Sequence, residues 1–411
     1  MEQFRHILVG GLLDGAGGSI RREVLMTVSE GTLVSLAEAS RDDLLRGEFA
    51  DLTSCTVLPG LVDAHVHLAM SGIEDLPERE AQRNAPFEQA AVRIQGNLLE
   101  HILHGVVAVR DGGDERGHAL HYKKRFLDDR VSQTDVKAAG QGWHAIGRYG
   151  SLIGGSPKDG ETLAQAITRK EAGNDHVKIV NSGLNSLTRF GEETAPQFSL
   201  EELEEAVKKA HALGKKVMVH ANGRAPVRLA VEAGCDSIEH GFFMGRDNLE
   251  IMAERKTVWV PTACTMAAYG ERLAKGSKES EVAKRNLDHQ ISQIRLAKSL
   301  GVPIAAGTDS GSPGVHHGES LAREMRLLVD AGFTVQQAVN SATARGAALL
   351  GVEDRTGVLA PGSPATFVVV RSTPGSLLER LTEPDLVVVK GKVAGGNKNS
   401  VSPRRRTSED R

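Results

Sequence analysis

VLPGLVDAHVHL (57–68) is the stretch that decides the fold. Pro59-Gly60 closes one pattern, and the apolar run after it ends on His65-Val66-His67. A strand that is apolar on both faces belongs in the middle of a parallel sheet. Residues i and i+2 of a strand share a face, so both histidines leave the strand on the same side. Seven further runs of this kind follow: VVAVRDGG (106–113), VKAAG (136–140), HVKIVNSG (176–183), KKVMVHANG (215–223), CDSIEHG (235–241), TVWVPTA (257–263) and VPIAAGTD (302–309). Between them lie stretches with helical spacing of apolar residues that end in glycine, such as EQAAVRIQGNLLEHILHG (88–105), SLEELEEAVKKAHALG (199–214) and LDHQISQIRLAKSLG (287–301). Eight strand–helix units predict an α/β chain folded as a (β/α)8 TIM barrel over residues 59–355.

The chain outside this block reads as short strands. HILVG, VLMTV and TLVSLA precede it, and GVLAPGSPATFVVV and DLVVVKGKVAGG follow it. Residues 1–58 and 356–395 are therefore expected to join as one small β-sandwich. Residues 396–411 carry almost no apolar side chains and are expected to be a disordered tail, with Arg404–Arg406 solvated.

Composition removes several function classes. The 411 residues are 40 % hydrophobic and 25 % charged, the balance of a globular chain with a large core. No run approaches the ~20 apolar residues that span a bilayer. The opening residues read as a strand and turn, without a leader cleavage pattern. Lys and Arg total 50 against 53 Asp and Glu, a net charge of −3, which argues against nucleic acid as a partner. Three cysteines without a CxxC spacing exclude a disulfide framework and fit a reducing cytoplasm. A small-molecule substrate and a possible homo-oligomer remain as partners.

In a barrel the functional residues sit at the C-terminal ends of the strands. Those ends carry His65 and His67 on the first strand, His220 on the fifth, His240 on the sixth and Asp309 on the eighth, while the fourth carries Lys178 in mid-strand. Neutral imidazoles ligate zinc and similar ions. His65 and His67 can chelate one ion, and His220 with His240 a second. A carboxylate such as Asp309 can ligate and also take a proton from bound water. A bare lysine cannot ligate, and burying an ammonium in an apolar strand is costly. Carboxylated by CO2, Lys178 would become an anionic carbamate able to bridge two metals. Taken singly these residues have plainer readings: a hydrogen-bonded histidine, a salt-bridged lysine, and a helix N-cap at Asp309. Six of them on five strands, five at the strand ends, make coincidence a poor account.

The segments VLPGLVDAHVHL, HVKIV, VMVHANG, SIEHG and AAGTDSG, in this order, resemble the amidohydrolase superfamily. NSATARGAALLGVEDRTGVLAPGSPATFVVV (340–370) resembles its passage from the last barrel helix into the C-terminal β-domain, with PATF (364–367) departing from the usual Ala-Asp-Leu turn. The resemblance covers roughly residues 5–395. It implies a zinc-type binuclear centre in which His65, His67 and Asp309 hold one divalent ion, His220 and His240 the other, and carboxylated Lys178 bridges both. It further implies a hydrolase cleaving an amide C–N bond, in which a hydroxide held between the metals attacks the carbonyl and Asp309 moves the proton to the leaving nitrogen.

Within the superfamily, the strand-four lysine is most similar to the prolidase-like and arginine/lysine carboxypeptidase-like dipeptidases. These act on Xaa-Pro dipeptides or N-acyl amino acids. The loop GQGWHAIGRYGSLIGGS (140–156) places His144 where those relatives hold substrate, and its length and glycines suit a lid. Arg148 and Tyr149 can meet a substrate carboxylate, or be an ordinary polar loop. Asn222 stands where the relatives carry tyrosine and can donate to the substrate carbonyl. Arg224 reads an anion or starts a helix. One of His316 and His317 can face the site, and Cys264 lines the pocket or is a buried thiol. The alternatives are a cyclic amide or imide hydrolase, a one-metal deaminase, and a non-catalytic scaffold. The absence of a glutamate in VHANGRAP argues against the deaminase, and retention of all six ligand types against the scaffold.

Overall fold

A computed structural model describes residues 5–40, 49–128, 133–170 and 173–396. Of the tail expected to be disordered, 396–411, Gly396 ends a strand and residues 397–411 lie outside the described residues.

The two chain ends meet in one seven-stranded sheet, ordered β16-β15-β14-β4-β1-β2-β3. Its strands are β1 (His6–Leu12), β2 (Arg21–Ser29), β3 (Thr32–Glu38), β4 (Ala50–Pro59), β14 (Phe367–Val370), β15 (Leu386–Val389) and β16 (Lys392–Gly396). Joining of the ends occurs where β14 pairs antiparallel with β4, Val368 opposite Leu58. Two hairpin turns decide the shape. Glu30-Gly31 and Lys390-Gly391 both have positive φ at each residue, the two-residue turn that matches strand twist. The two turns touch: a Cβ on Gly391 would stand 2.8 Å from the Gly31 Cα, so glycine is needed there for space as well as for φ. The sheet thereby curls so that its two ends meet around a core of Val9, Val24, Met26, Leu33, Leu52, Val57, Phe367 and Val388. A sandwich of two separate sheets is thus not what these residues form.

The middle of the chain carries the expected strand order. One parallel sheet runs β5 (Leu61–Val66), β6 (Val106–Asp111), β7 (Asp135–Ala138). A second runs β13-β12-β11-β10-β8-β9, built from β8 (Gly142–Trp143), β9 (Gly154–Gly155), β10 (His176–Val180), β11 (Lys216–Ala221), β12 (Ser237–His240) and β13 (Val258–Val260). The segment 304–310 runs between the two sheets. It touches β13 through the bridge Trp259–Ile304 and β5 through Val66–Ser310. On the opposite side the chain of β7 continues into β8, which pairs with β10 at Trp143–Ile179. The arrangement is TIM-barrel-like, but among the described residues the ladders do not form one uninterrupted closed ring.

The eighth expected strand is therefore two single bridges. Pro303 has no N–H to give, and the Thr308 N–H donates to the Asp63 side chain rather than to a strand carbonyl. A Cβ at Gly307 would meet the Val260 side chain at 2.5 Å and the His65 nitrogen at 2.9 Å, so backbone passes close to backbone here. Helices pack outside. Leu200–Ala212 begins at a Ser199–Glu202 capping box and buries Leu203, Ala206, Val207 and Ala210 against the strands. Among the described residues no helix is long and apolar enough to cross a membrane.

Candidate metal centre

Lys178, inside β10, is fully buried, and its Nζ has no hydrogen-bond partner. An unpaired buried amine is costly, so the position calls for a physical account. It lines one cavity of about 360 Å3 together with His65, His67, His220, His240 and Asp309, so all six expected ligands converge there. His240 and Asp309 reach it through left-handed backbone, φ 67° and 59°. Strain of this kind at non-glycine residues collects at functional sites.

His65, His67 and Asp309 form the tightest group. Asp309 Oδ1 lies 3.4 Å from His65 Nε2 and 3.2 Å from His67 Nε2. A tetrahedral site with ~2.05 Å bonds separates its donors by about 3.3 Å, so the spacing fits a metal. His65 Nε2 has no other partner and is buried. Gly112 leaves the space beside it open: a Cβ there would stand 3.2 Å from His65 Nε2 and 2.9 Å from His67 Cε1. The pair His220 and His240 adjoins, ring centroids 4.5 Å apart, with the His240 ring 5.1 Å from His65. His220 Nε2 lies 3.2 Å from the Gly183 carbonyl, and His240 Nδ1 lies 2.7 Å from the Thr262 hydroxyl. The residues fit a divalent metal centre, tightly at the first position and as an adjacent pair at the second.

Charge supports this. Burial, with Lys178 nearby, pushes His65 down to about 4, and burial pushes His240 down to about 3, so both rings are neutral donors. His67 goes the other way: burial lowers it, but the hydrogen bond to Asp309 together with the charges of Asp309 and Asp111 outweighs that and raises it. Burial would raise Asp309, yet the His67 hydrogen bond and the surrounding imidazoles hold it below the usual carboxylate range. Burial brings Lys178 down to about 8.

A second ring of buried polar residues holds the first, and the sequence reading missed it. Glu239 accepts from His65 Nδ1 at 2.8 Å, from Arg110 Nη2 at 2.8 Å and from the Ser237 hydroxyl at 2.6 Å. Arg110 also donates to the Ala64 carbonyl and the Ser237 hydroxyl. A carboxylate on the far nitrogen of a ligating histidine fixes its tautomer and orientation. Asp63 accepts from the His65 and Thr308 amides and the Thr308 hydroxyl. Asp111 accepts from the Leu68 and Gly113 amides, and the Gly113 carbonyl in turn faces His67 Nδ1 at 2.9 Å. The signal was present: Arg110 stands in an otherwise apolar run, as Lys178 does, and Glu239 is next to His240.

The expected substrate residues divide. Tyr149 and Asn222 line the cavity, and the Tyr149 ring lies 5.5 Å from that of His220. Asn222 is occupied, accepting from the Phe242 amide and sitting 3.4 Å from the Gly183 carbonyl, so it ties two strand-end loops together. His144 does not line the cavity; it is buried against the Ala145 carbonyl and the Ser156 hydroxyl. Arg148 is exposed and donates to the Ala195 carbonyl. Arg224 starts the helix Arg224–Glu232. His317 is buried among the Met70 carbonyl, His101 and Ser310, while His316 is exposed. Cys264 is a buried thiol donating to the Thr308 carbonyl.

The model of the amidohydrolase family matches residues 56–394. An uncharacterized protein of Mycobacterium tuberculosis is 28 % identical over 349 residues, spanning 82 % of this chain and 85 % of its own length. The ochratoxinase of Aspergillus niger is 25 % identical over 415 residues, spanning 93 % of this chain and 84 % of its own. Among solved structures, a Xaa-Pro dipeptidase with methionine bound in its active site superposes with a TM-score of 0.78 at 26 % identity, covering 95 % of this chain and 99 % of that one.

Proposed function

The chain belongs to the amidohydrolase family, hydrolases of carbon–nitrogen bonds, and from that premise we propose that it cleaves the amide of a dipeptide, Xaa-Pro or similar, or of an N-acyl amino acid. One observation carries the reading: a fully buried lysine with an unpartnered Nζ shares a cavity with four histidines and an aspartate. The similarity to a Xaa-Pro dipeptidase structure and to an ochratoxinase supports the choice of substrate class.

The proposed ligand set is His65, His67 and Asp309 for one divalent ion and His220 and His240 for another, both most suitably zinc, with Lys178 between them. The Lys178 amine adds to CO2, loses a proton and becomes a carbamate, whose charge replaces an unpaired amine by a ligand. Bound ions of this type supply Lewis acidity, polarising a carbonyl and bringing the pKa of water toward neutrality from ~15.7. Asp309 does the proton work. Its Oδ2 accepts from the Ser312 hydroxyl at 2.8 Å, which fixes the carboxylate that would take a proton from water and return it to the leaving nitrogen. Glu239, through His65 Nδ1, keeps the Nε2 lone pair turned to the cavity. Tyr149, lining the wall beside His220, is positioned to donate to the substrate carbonyl. The three described cysteines are unpaired and buried, which fits a reducing cytoplasm.

The test is a substrate panel with metal analysis. Purified protein is loaded with Zn2+ in bicarbonate buffer and assayed on Xaa-Pro dipeptides, N-acyl amino acids and cyclic amides, with ammonia release followed in parallel. The proposal expects about two ions per chain and turnover of the first two classes. Turnover of cyclic amides alone, or ammonia as the product, would replace it.

A further inference from the structure

The cavity that holds the six ligands also holds a guanidinium which nothing above uses. Arg79, on the helix Leu76–Asn84 after the first strand, is half-buried and lines the cavity. Both hydrogens of its Nη1 are used. It donates to the Ile73 carbonyl at 3.0 Å and to the Gly311 carbonyl at 3.0 Å. Those two anchors fix the plane of the group. They also tie it to the loop that follows Asp309. Among the described residues its Nε and Nη2 have no hydrogen-bond partner, and no carboxylate forms an ion pair with it. The Nε–Nη2 edge is the one that grips a carboxylate through two parallel hydrogen bonds.

The other cations near the cavity are spent or outside. Arg83 is paired with Glu115 at 3.2 Å and reaches the Ser151 hydroxyl. Arg116 is exposed at the rim, and Arg148 is directed to the Ala195 carbonyl. The same cavity also carries large apolar side chains, Leu152, Leu184, Phe242 and Met266, and the Tyr269 ring, which lies beneath the Arg272 guanidinium at 4.6 Å. A fixed, unpaired guanidinium in a cavity that also carries large apolar side chains suits a carboxylate attached to a bulky apolar group.

We infer that Arg79 is the specificity-determining residue of this cavity, reading the single free carboxylate of an amide substrate whose apolar part packs on Leu152, Leu184, Phe242 and Met266. The inference deepens the proposed function and rests on it. It moves carboxylate recognition from the third loop, where Arg148 was expected, to the first.

Two measurements on the intact metal-loaded protein test it. The first is calorimetric titration with 3-phenylpropanoate, which has no bond to cleave, and with 3-phenylpropan-1-ol. Arg79→Met weakens the propanoate about 10–100-fold, the range of a lost charged hydrogen-bond pair, and leaves alcohol affinity within about twofold. The second is kcat/KM for N-acetyl-L-phenylalanine against its primary amide, and for glycyl-L-proline against glycyl-L-prolinamide. The acid-over-amide preference falls at least about tenfold in Arg79→Met and is partly kept in Arg79→Lys. A partly misfolded variant would lower both members of each pair together, so the ratio isolates recognition. Unchanged propanoate binding, or an unchanged ratio, overturns the assignment to Arg79. Arg79-dependent propanoate binding in a protein that hydrolyses no amide overturns the amidase reading instead.

Discussion

Replacing Glu239 by glutamine tests whether the buried second ring serves the metal or only the fold. In the native site this carboxylate accepts three hydrogen bonds, from His65 Nδ1, Arg110 Nη2 and Ser237 Oγ, at 2.6–2.8 Å. Glutamine keeps the shape but replaces one acceptor oxygen with a donor and leaves the buried Arg110 without a counter-charge. Breaking a buried pair from one side costs about 3–5 kcal/mol, so the metal-free protein melts at a lower temperature. Freed from its carboxylate, His65 also loses the constraint that aims its Nε2, and outer-ring losses of this type lower metal affinity ~10–100-fold. At 1.36 kcal/mol per tenfold this is about 1.4–2.7 kcal/mol of binding. Arg110→Met separates the two effects, because it removes the counter-charge while leaving the His65–Glu239 bond in place. The assay is competition for Zn2+ against a chromophoric chelator, run beside thermal melts of the metal-free proteins. We expect Arg110→Met to lose stability and keep most of its affinity, and Glu239→Gln to lose both. Affinity of Glu239→Gln within twofold of the wild type, with a lowered melting temperature, would refute the reasoning and reduce Glu239 to a structural residue.

Asp309→Asn is expected to fold and lose about 10²–10⁴-fold in kcat, measured on the best amide of the panel; near-native turnover would remove Asp309 from proton transfer. Gly112→Ala places a methyl 3.2 Å from His65 Nε2 and 2.9 Å from His67 Cε1, so zinc per chain should drop by elemental analysis while circular dichroism stays native. Burial pushes Glu324 up to about 7 from its ordinary 4.5, while it caps the helix Ala263–Arg272 through the Ala263 and Cys264 amides. Its folded pKa lies above the unfolded one, so its stabilising contribution is full below about pH 4.5 and is lost as pH rises through 7, on the order of 3 kcal/mol. Melting temperature should therefore fall less between pH 5 and pH 8 in Glu324→Gln than in the wild type, and equal slopes would count against it.

The ligand types were legible because each breaks a local rule. A histidine pair at i and i+2, a lysine in an apolar strand and a carboxylate after a small-residue run are conspicuous against buried sheet. Arg110 and Glu239 break the same rule but went unread, since charge in a strand does not reveal which distant charge answers it. Their partners lie 129 residues apart in the chain. The third-loop residues divide for a different reason: loop side chains are directed by whichever carbonyls the fold brings near, as His144 is by Ala145 and Arg148 by Ala195, 47 residues on, while Tyr149 stays on the cavity wall.

What the sequence determined alone is periodic or local: the alternation of buried strands and amphipathic helices, and which six side chains stand out on the strands as candidate donors. Backbone sterics and burial act over a few residues, so these can be read along the chain. The tertiary structure decided which candidate donors meet, that the chain ends curl into one sheet, that the eighth strand thins to two bridges where Asp63 captures the Thr308 amide, and that Arg79 lines the cavity. Each of these depends on contacts between residues far apart in sequence, and such contacts exist only once the chain has closed on itself.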